Sequence, residues 1–462
     1  MMAPLLHSRL AAWSFMGVMG LLTVAAAMLA ATRHVPLKML PFDNKNELLL
    51  VMDFDEGNTL ERSDSAVREI ETYLQGVPEV TDFTSYVGTS SPMDFNGMVR
   101  HYYLREGSNV AEIRVNFAGK KSRAQQSHAI GLRLRDDLTR IARKHEAILK
   151  IVETPPGPPV IASVVAEIYG RPGQAYDELI DASRIVRSRV QAEPGVVDVD
   201  DSVEADWQKL TFVTDREKAA LNRVSVSDIV ETLKIAVDGD VAGLVHSDRE
   251  RNPLVIALRI PRSERSSAAD LSQIHVKGRS GDLIALGELG RWEDSSVART
   301  IYHKNLQRVV YIFAETAGRP PADVVVDVLA DRTVAPINTD VASGSGWVAE
   351  SKPRRVEHRT FFRCGSGVAW KVPDGIRVDF AGEGEWKITL DVFRDLGLAF
   401  AAALIAIYIL LVAQTGSFVI PAIVMLAIPL SILGIMPGFW LLNAVTGGSV
   451  GGYADPIFFT AT

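Results

Sequence analysis

The 462-residue chain carries a formal net charge of −7, and 47% of its residues are apolar. It is too long for one single-core domain and too acidic for nucleic acid to be its main partner. Its one cysteine, Cys364, excludes an internal disulfide framework and a cysteine-based zinc site.

Residues 11–32, AAWSFMGVMGLLTVAAAMLAAT, are uncharged. A helix needs about 20 apolar residues to cross a hydrocarbon core, and a secretory signal has an apolar stretch of only about 7–15. The length therefore favours a retained membrane helix over a cleaved signal. Residues 48–54 are apolar and end at Asp55-Glu56-Gly57-Asn58, a strand and its turn. Thr59 or Ser63 caps a helix over residues 60–75, with Ala66, Val67, Ile70 and Leu74 on one face, and Val77-Pro78 stops it. Residues 80–87 and 110–117 are strands, the latter with Ile113, Val115 and Phe117 on one side. A helix over residues 124–145 carries the stripe Ile130, Leu134, Leu138 and Ile141. Its arginines Arg133, Arg135, Arg140 and Arg143 read as a solvated face, as do the acid pairs Asp136-Asp137 and Asp200-Asp201. A strand at 148–152 completes β-α-β-β-α-β, the ferredoxin-like split order. Residues 154–159, TPPGPP, form a stiff boundary.

Past that boundary the pattern repeats. QGVPEVTD at 75–82 has a counterpart in QAEPGVVD at 191–198, and at the same offset Ala66 meets Ala182, Ile70 meets Val186 and Leu74 meets Val190. The second copy is interrupted. Strands at 209–213 and 254–260 and helices at 215–221 and 227–237 fill residues 205–300, and strand–helix–strand resumes with 308–314, 322–330 and 376–381. Residues 338–373, rich in Gly and Ser with mixed charge, take no assignment.

From about residue 391 the chain is membrane sequence. Residues 396–413 and 418–445 are uncharged and joined by Gln414-Thr415-Gly416-Ser417, so they form a helical hairpin. Pro421, Pro429 and Pro437 kink its second arm. Residues 456–462 turn apolar again, the start of a further span. No ionisable residue lies inside the three apolar runs, so they hold no proton relay. No HExxH or GxSxG motif and no histidine pair at metal spacing is present, so neither an enzyme nor a resident metal or other cofactor is expected.

These residues resemble a known family. KMLPFDNK at 38–45, TPPGPP at 154–159, TIYHKN at 300–305, GEW at 384–386 leading into VFRDLG at 392–397, and FFTAT at 458–462 are similar to the C-terminal half of a resistance–nodulation–division efflux permease of the acriflavine-resistance type. The resemblance implies a membrane α-helical plus α+β protein of the bacterial inner membrane. Residues 1–10 would be cytoplasmic, and 11–32, 396–413 and 418–445 transmembrane, with a truncated helix starting at 456–462. A large periplasmic domain would hold two ferredoxin-like porter subdomains, 40–155 and 160–204 with 301–384. A docking subdomain, 205–300, would interrupt the second. The resemblance further implies proton-driven export by a homotrimer. Its partners would be the permease's N-terminal half, a periplasmic adaptor and an outer-membrane channel.

By the same resemblance, the substrate pathway runs behind the strand at 80–87 and under a switch loop at 88–97. There Thr84, Tyr86, Met93 and Phe95 would line the pathway, with Gly88 and Gly97 as hinges. Thr84, Thr89 and Ser91 stand where drug exporters of this kind carry aromatics. Met39, Met52, Met93 and Met98 bring soft thioethers that suit copper or silver, but their spacing reads as packing. Two other readings fit parts of the chain: a membrane-anchored periplasmic sensor or adaptor, and a protein- or lipid-export relative without a docking subdomain.

Overall fold

Alternation dictates the first sheet. In β1 (Glu47–Asp53) every second residue, Leu48, Leu50 and Met52, enters one core. Helix α2 (Leu60–Gln75) covers that face with Ala66, Val67, Ile70 and Leu74, and the Thr59 hydroxyl accepts the Arg62 N–H at its start. Then come β2 (Val80–Thr89), a short helix α3 (Phe95–Val99), β3 (Glu106–Phe117), α4 (Ser127–Lys144) and β4 (Ile148–Val152). The helix α1 (Arg9–Ala31) precedes them. The strands hydrogen-bond in the order β2-β3-β1-β4, all antiparallel. α2 and α4 lie on the same face, so neither of these long helices covers the other face. The computed structural model describes residues 8–39, 42–154, 160–246, 250–333 and 347–459. Most of the proline-rich boundary lies outside them.

The second sheet repeats the first. β5 (Val164–Tyr169), α5 (Tyr176–Gln191), β6 (Val196–Asp201), β7 (Gln307–Thr316), α6 (Pro321–Ala330) and β8 (Arg377–Asp379) build it. β7 and β8 flank β5, and β6 lies outside β7. Ala182, Val186 and Val190 are each 0% exposed, as are Ala66 and Ile70, with Leu74 at 1%. The matched positions therefore do the same packing work in both copies. β4 and β6 meet at the edge, where the Asp198 carboxylate accepts the Ile151 N–H at 3.1 Å.

Residues Ala205–Arg299 form a separate compact unit. The strands Gln208–Thr214 and Gly290–Ser296 pair antiparallel, and so do Asp240–Val245 and Leu254–Leu258. The helix Val226–Val237 starts at a reciprocal capping box between Ser225 and Asp228. Ala219, Val224, Ile229, Val276, Leu286 and Leu289 make its small core.

Among the described residues three helices are long and apolar enough to cross a membrane: α1, α7 (Gly384–Thr415) and the span Val419–Thr446. α7 begins twelve residues before the uncharged run at 396 and is continuous from the second sheet onward. The following span breaks after Met425, four residues before Pro429, whose ring leaves no room for that carbonyl. Pro437 sits inside its last segment. Residues 456–459 are not helical: the Lys38 N–H donates to the Phe459 carbonyl, and the Phe459 N–H to that of Pro36. The rest of the expected third-span start, 460–462, lies outside the described residues.

Several charges read as solvated are instead held in ion pairs. Arg135 is buried and paired with Asp198, Lys150 bridges Asp53 and Asp200, and Arg187 holds Asp201. Their partners come from another part of the chain, which spacing along one helix does not reveal. Arg140 pairs with Asp137 on the surface, and Arg143 is exposed.

Residues 347–372, which the sequence left unassigned, are organised by ion pairs. Arg33, directly after α1, grips Asp327 of α6 through both its Nη atoms, at 3.0 and 3.1 Å. Arg319 and Arg359 each bridge Asp327 and Glu193, while Arg189 holds Glu193 and Asp331. Asp331 also accepts from Ser366 and Gly367, and Asp327 from the Gly365 N–H. Burial opposes the Asp327 charge, but Arg33, the Gly365 N–H and Arg359 outweigh it and hold this carboxyl at about 2.

Ile70→Asp or Val186→Asp should destabilise the chain by several kcal/mol, because a charge without a partner would be buried. The melting temperature in detergent checks this, and an unchanged value would refute the packing. A depressed carboxyl stabilises fully above its unfolded pKa, near 4, and that stabilisation disappears as pH falls through the folded value. Asp327→Asn should therefore cost roughly 3–5 kcal/mol at neutral pH. It should also flatten the loss of melting temperature between pH 4 and 2.

Candidate functional site: a strap across the first sheet

On β2 and β3 the residues between the core positions point to the face that α2 and α4 leave uncovered. Thr84 lies opposite Arg114, and Tyr86 opposite Glu112. Thr84 is exposed and Tyr86 half-buried. Residues 90–105 turn back as a strap, and their anchors are these same charges. The Ser91 N–H donates to Glu112 at 2.9 Å, and Arg114 donates to the Pro92 carbonyl and to Asp94, both at 2.8 Å. At the far end Arg105 pairs with Asp53, lies 3.2 Å from Glu112 and donates to the Met52 carbonyl. Burial opposes the charge of Asp53, yet Lys150 and Arg105 keep its carboxyl below the usual range.

Within the strap Asp94 caps α3 by accepting the Gly97 N–H at 2.6 Å. Gly97 is thus buried inside a short helix, whereas Gly88 ends the regular part of β2 with φ +78°. A Cβ at Gly88 would sit 2.8 Å from Leu60 Cδ1. Met93 and Phe95 are 63% and 64% exposed, and Met98 and Leu104 also stand out of the strap. The strap therefore shows an apolar surface on a frame of paired charges. Of the four methionines singled out by sequence, Met52 lies in the first core and Met39 is buried, which leaves only Met93 and Met98 on the strap. No group of three His, Cys, Asp or Glu placed to hold a metal ion occurs among the described residues.

The strap also reaches the second sheet. Arg100 donates to Glu315 of β7 at 2.7 Å, the two side chains being 9% and 17% exposed. Nearby, Lys38 is buried beside the Phe42 ring. Burial pushes its ammonium pKa down, against the pull of Glu385, Glu153 and Glu315. Sequence reasoning found the strap through its glycines and missed its fastenings. Their signal was present: Glu112 and Arg114 occupy the outward positions of an alternating strand whose inward positions are Ile113 and Val115.

A family model, the AcrB/AcrD/AcrF family, matches residues 2–341. The chain belongs to this family of resistance–nodulation–division permeases. The swarming motility protein SwrC of Bacillus subtilis is 19% identical over 88% of this chain and 34% of its own length. The nickel and cobalt resistance protein CnrA of Cupriavidus metallidurans is 23% identical over 67% of the chain and 28% of its own. The chain thus spans about a third of these relatives. A crystal structure of a heavy metal efflux pump superposes with a TM-score of 0.67 at 15% identity, over 93% of this chain and 40% of that one. That likeness is one of fold.

Gly88→Pro should release the strap, because proline fixes φ near −65° where φ +78° is needed. Amide hydrogen exchange of residues 90–105 should speed up several-fold while residues 110–117 stay protected. Equal protection in both proteins would show that Gly88 does not set the strap.

Proposed function

We propose that this chain is a substrate-handling portion of a proton-driven resistance–nodulation–division exporter in a bacterial inner membrane. The observation that carries the reading is the family match together with the exposed Met93 and Phe95 on a strap over the sheet face that α2 and α4 leave uncovered. Thr84 and Tyr86 lie on the same face and complete the proposed contact surface. Gly88 would be the hinge of the moving segment, with Gly97 inside its short helix. The two repeated sheets serve as ferredoxin-like porter subdomains, and Ala205–Arg299 as the docking subdomain. The working assembly is a homotrimer with the remaining permease half, a periplasmic adaptor and an outer-membrane channel. Residues 36–391 face the periplasm, and no enzymatic step is involved.

Metal-ion export is a second reading, favoured by CnrA being named for nickel and cobalt resistance. The exposed apolar strap favours organic small molecules. Met93→Ala combined with Phe95→Ala, in the permease completed with its other half, should cut tolerance to organic compounds and leave nickel and cobalt tolerance unchanged. The reverse pattern would select metal export.

Topology is checked by cysteine labelling in a Cys364→Ser background. An impermeant maleimide applied to intact cells with a permeable outer membrane should reach Ser63→Cys and not Thr415→Cys. Equal labelling of both would refute the arrangement. Proton coupling needs ionisable groups within the bilayer, and the uncharged parts of the three described spans contain none. Expressed by itself in a pump-deficient strain, the chain should restore no export.

A further inference from the structure

The strap is tied to a membrane helix through two other side chains. Arg100 of the strap donates to Glu315 Oε1 at 2.7 Å. The Ser163 hydroxyl donates to Glu315 Oε2, and the Ser163 N–H lies 3.3 Å from the same oxygen. Ser163 Oγ is also 3.5 Å from Glu385 Oε1, and the Glu385 N–H donates to the Ser163 carbonyl at 3.2 Å. Glu385 is the second residue of α7, which runs unbroken for 32 residues to Thr415. At about 1.5 Å per residue this is a rod of about 48 Å. Its first residue is pinned: Gly384 has φ +81°, and a Cβ there would lie 3.1 Å from the Ala162 carbonyl oxygen and 3.2 Å from Val165 Cγ2.

A hydroxyl has one proton to give. Ser163 faces two carboxylates, Glu315 and Glu385, and can donate to only one at a time. In this structure the shorter contact is to Glu315, with Glu385 at the outer limit of a hydrogen bond. Moving α7 toward Ser163 would favour the Glu385 arrangement and take a donor from Glu315, whose remaining strong partner is Arg100. That gives the connection two discrete arrangements, which energetic coupling between distant sites requires.

We propose that Ser163 and Glu315 are positioning residues that couple the displacement of α7 to the seating of the strap. Arg100 receives the effect and Glu385 delivers it. The coupling stands apart from the export reading, because it concerns where the strap sits and not what passes beneath it.

The test reads strap motion in the full 462-residue chain in detergent. Maleimide labelling is followed at Met93→Cys in a Cys364→Ser background, with hydrogen exchange of residues 90–105 as a second measure. Arg100→Ala should speed both several-fold. Ser163→Ala and Glu385→Gln should each change them by at least twofold, although neither residue lies in the strap. Glu383→Gln is the control. It removes the carboxylate of the N-cap residue of α7, which pairs with Lys304 outside the connection, and should leave strap rates at the wild-type value. Melting temperatures separate folding damage from strap motion, and Ser163→Thr, which keeps the hydroxyl, should restore wild-type rates. Wild-type rates in both Ser163→Ala and Glu385→Gln would overturn the proposal. So would an equal effect of Glu383→Gln, which would show general loosening of the helix start.

Discussion

The grip of Arg33 on Asp327 is the constraint on which most of the second repeat depends. Arg33 stands two residues beyond the end of α1, and Asp327 lies in α6 with its side chain 0% exposed. The contact fixes where the apolar helix α1 enters the folded domain. The guanidinium is also 4.6 Å from the Phe361 ring centroid, and the Phe361 N–H donates to the Ala31 carbonyl. One junction thus joins the end of α1, a helix of the second sheet and the segment beyond it. A bidentate arginine–carboxylate pair suits the task because it sets orientation as well as distance.

Such a pair carries a desolvation cost of several kcal/mol per ion. In this cluster the cost is offset by giving each of the two fully buried carboxylates three guanidinium partners. Glu193 meets Arg189, Arg319 and Arg359, and Asp327 meets Arg33, Arg319 and Arg359. The segment carrying Arg359, Gly365 and Ser366 has only two-residue strands and short turns of its own. It is ordered because its donors satisfy Asp327 and Asp331. A sequence reading based on apolar period finds no pattern there, since the organising force is ionic and its partners lie far apart in the chain.

What was legible follows from the same division. Elements whose boundaries are set locally were readable. Leu60–Gln75 has its cap at Thr59 and its stop at Val77-Pro78, and Ile148–Val152 is a short apolar run between turns. The repeat was readable because core positions such as Ile70 and Val186 must be apolar in both copies. That Thr84 and Tyr86, singled out by the resemblance, share one face was legible too, since alternate strand residues lie on one side. The closure of the site was not. Arg105, Arg114 and Arg100 find Asp53, Asp94 and Glu315, and charge patterning along one element says nothing about partners 52, 20 and 215 residues away. Gly97 shows a related limit: a glycine between turn-forming residues reads as a hinge, while the decisive neighbour is Asp94, which makes the segment a capped helix.

The two kinds of contact also differ in how they respond to displacement. Inside each sheet the cores are mainly Leu, Ile, Val and Ala, whose attraction is non-directional and falls off smoothly as they slide. Between the sheets the contacts are Lys150–Asp200, Arg135–Asp198 and Arg100–Glu315. A buried ion pair has no inexpensive intermediate, because a half-separated pair keeps its desolvation cost and loses its attraction. Relative motion of the sheets is therefore confined to arrangements in which each charge has a partner. Packed interfaces fastened in this way are bistable rather than continuously deformable.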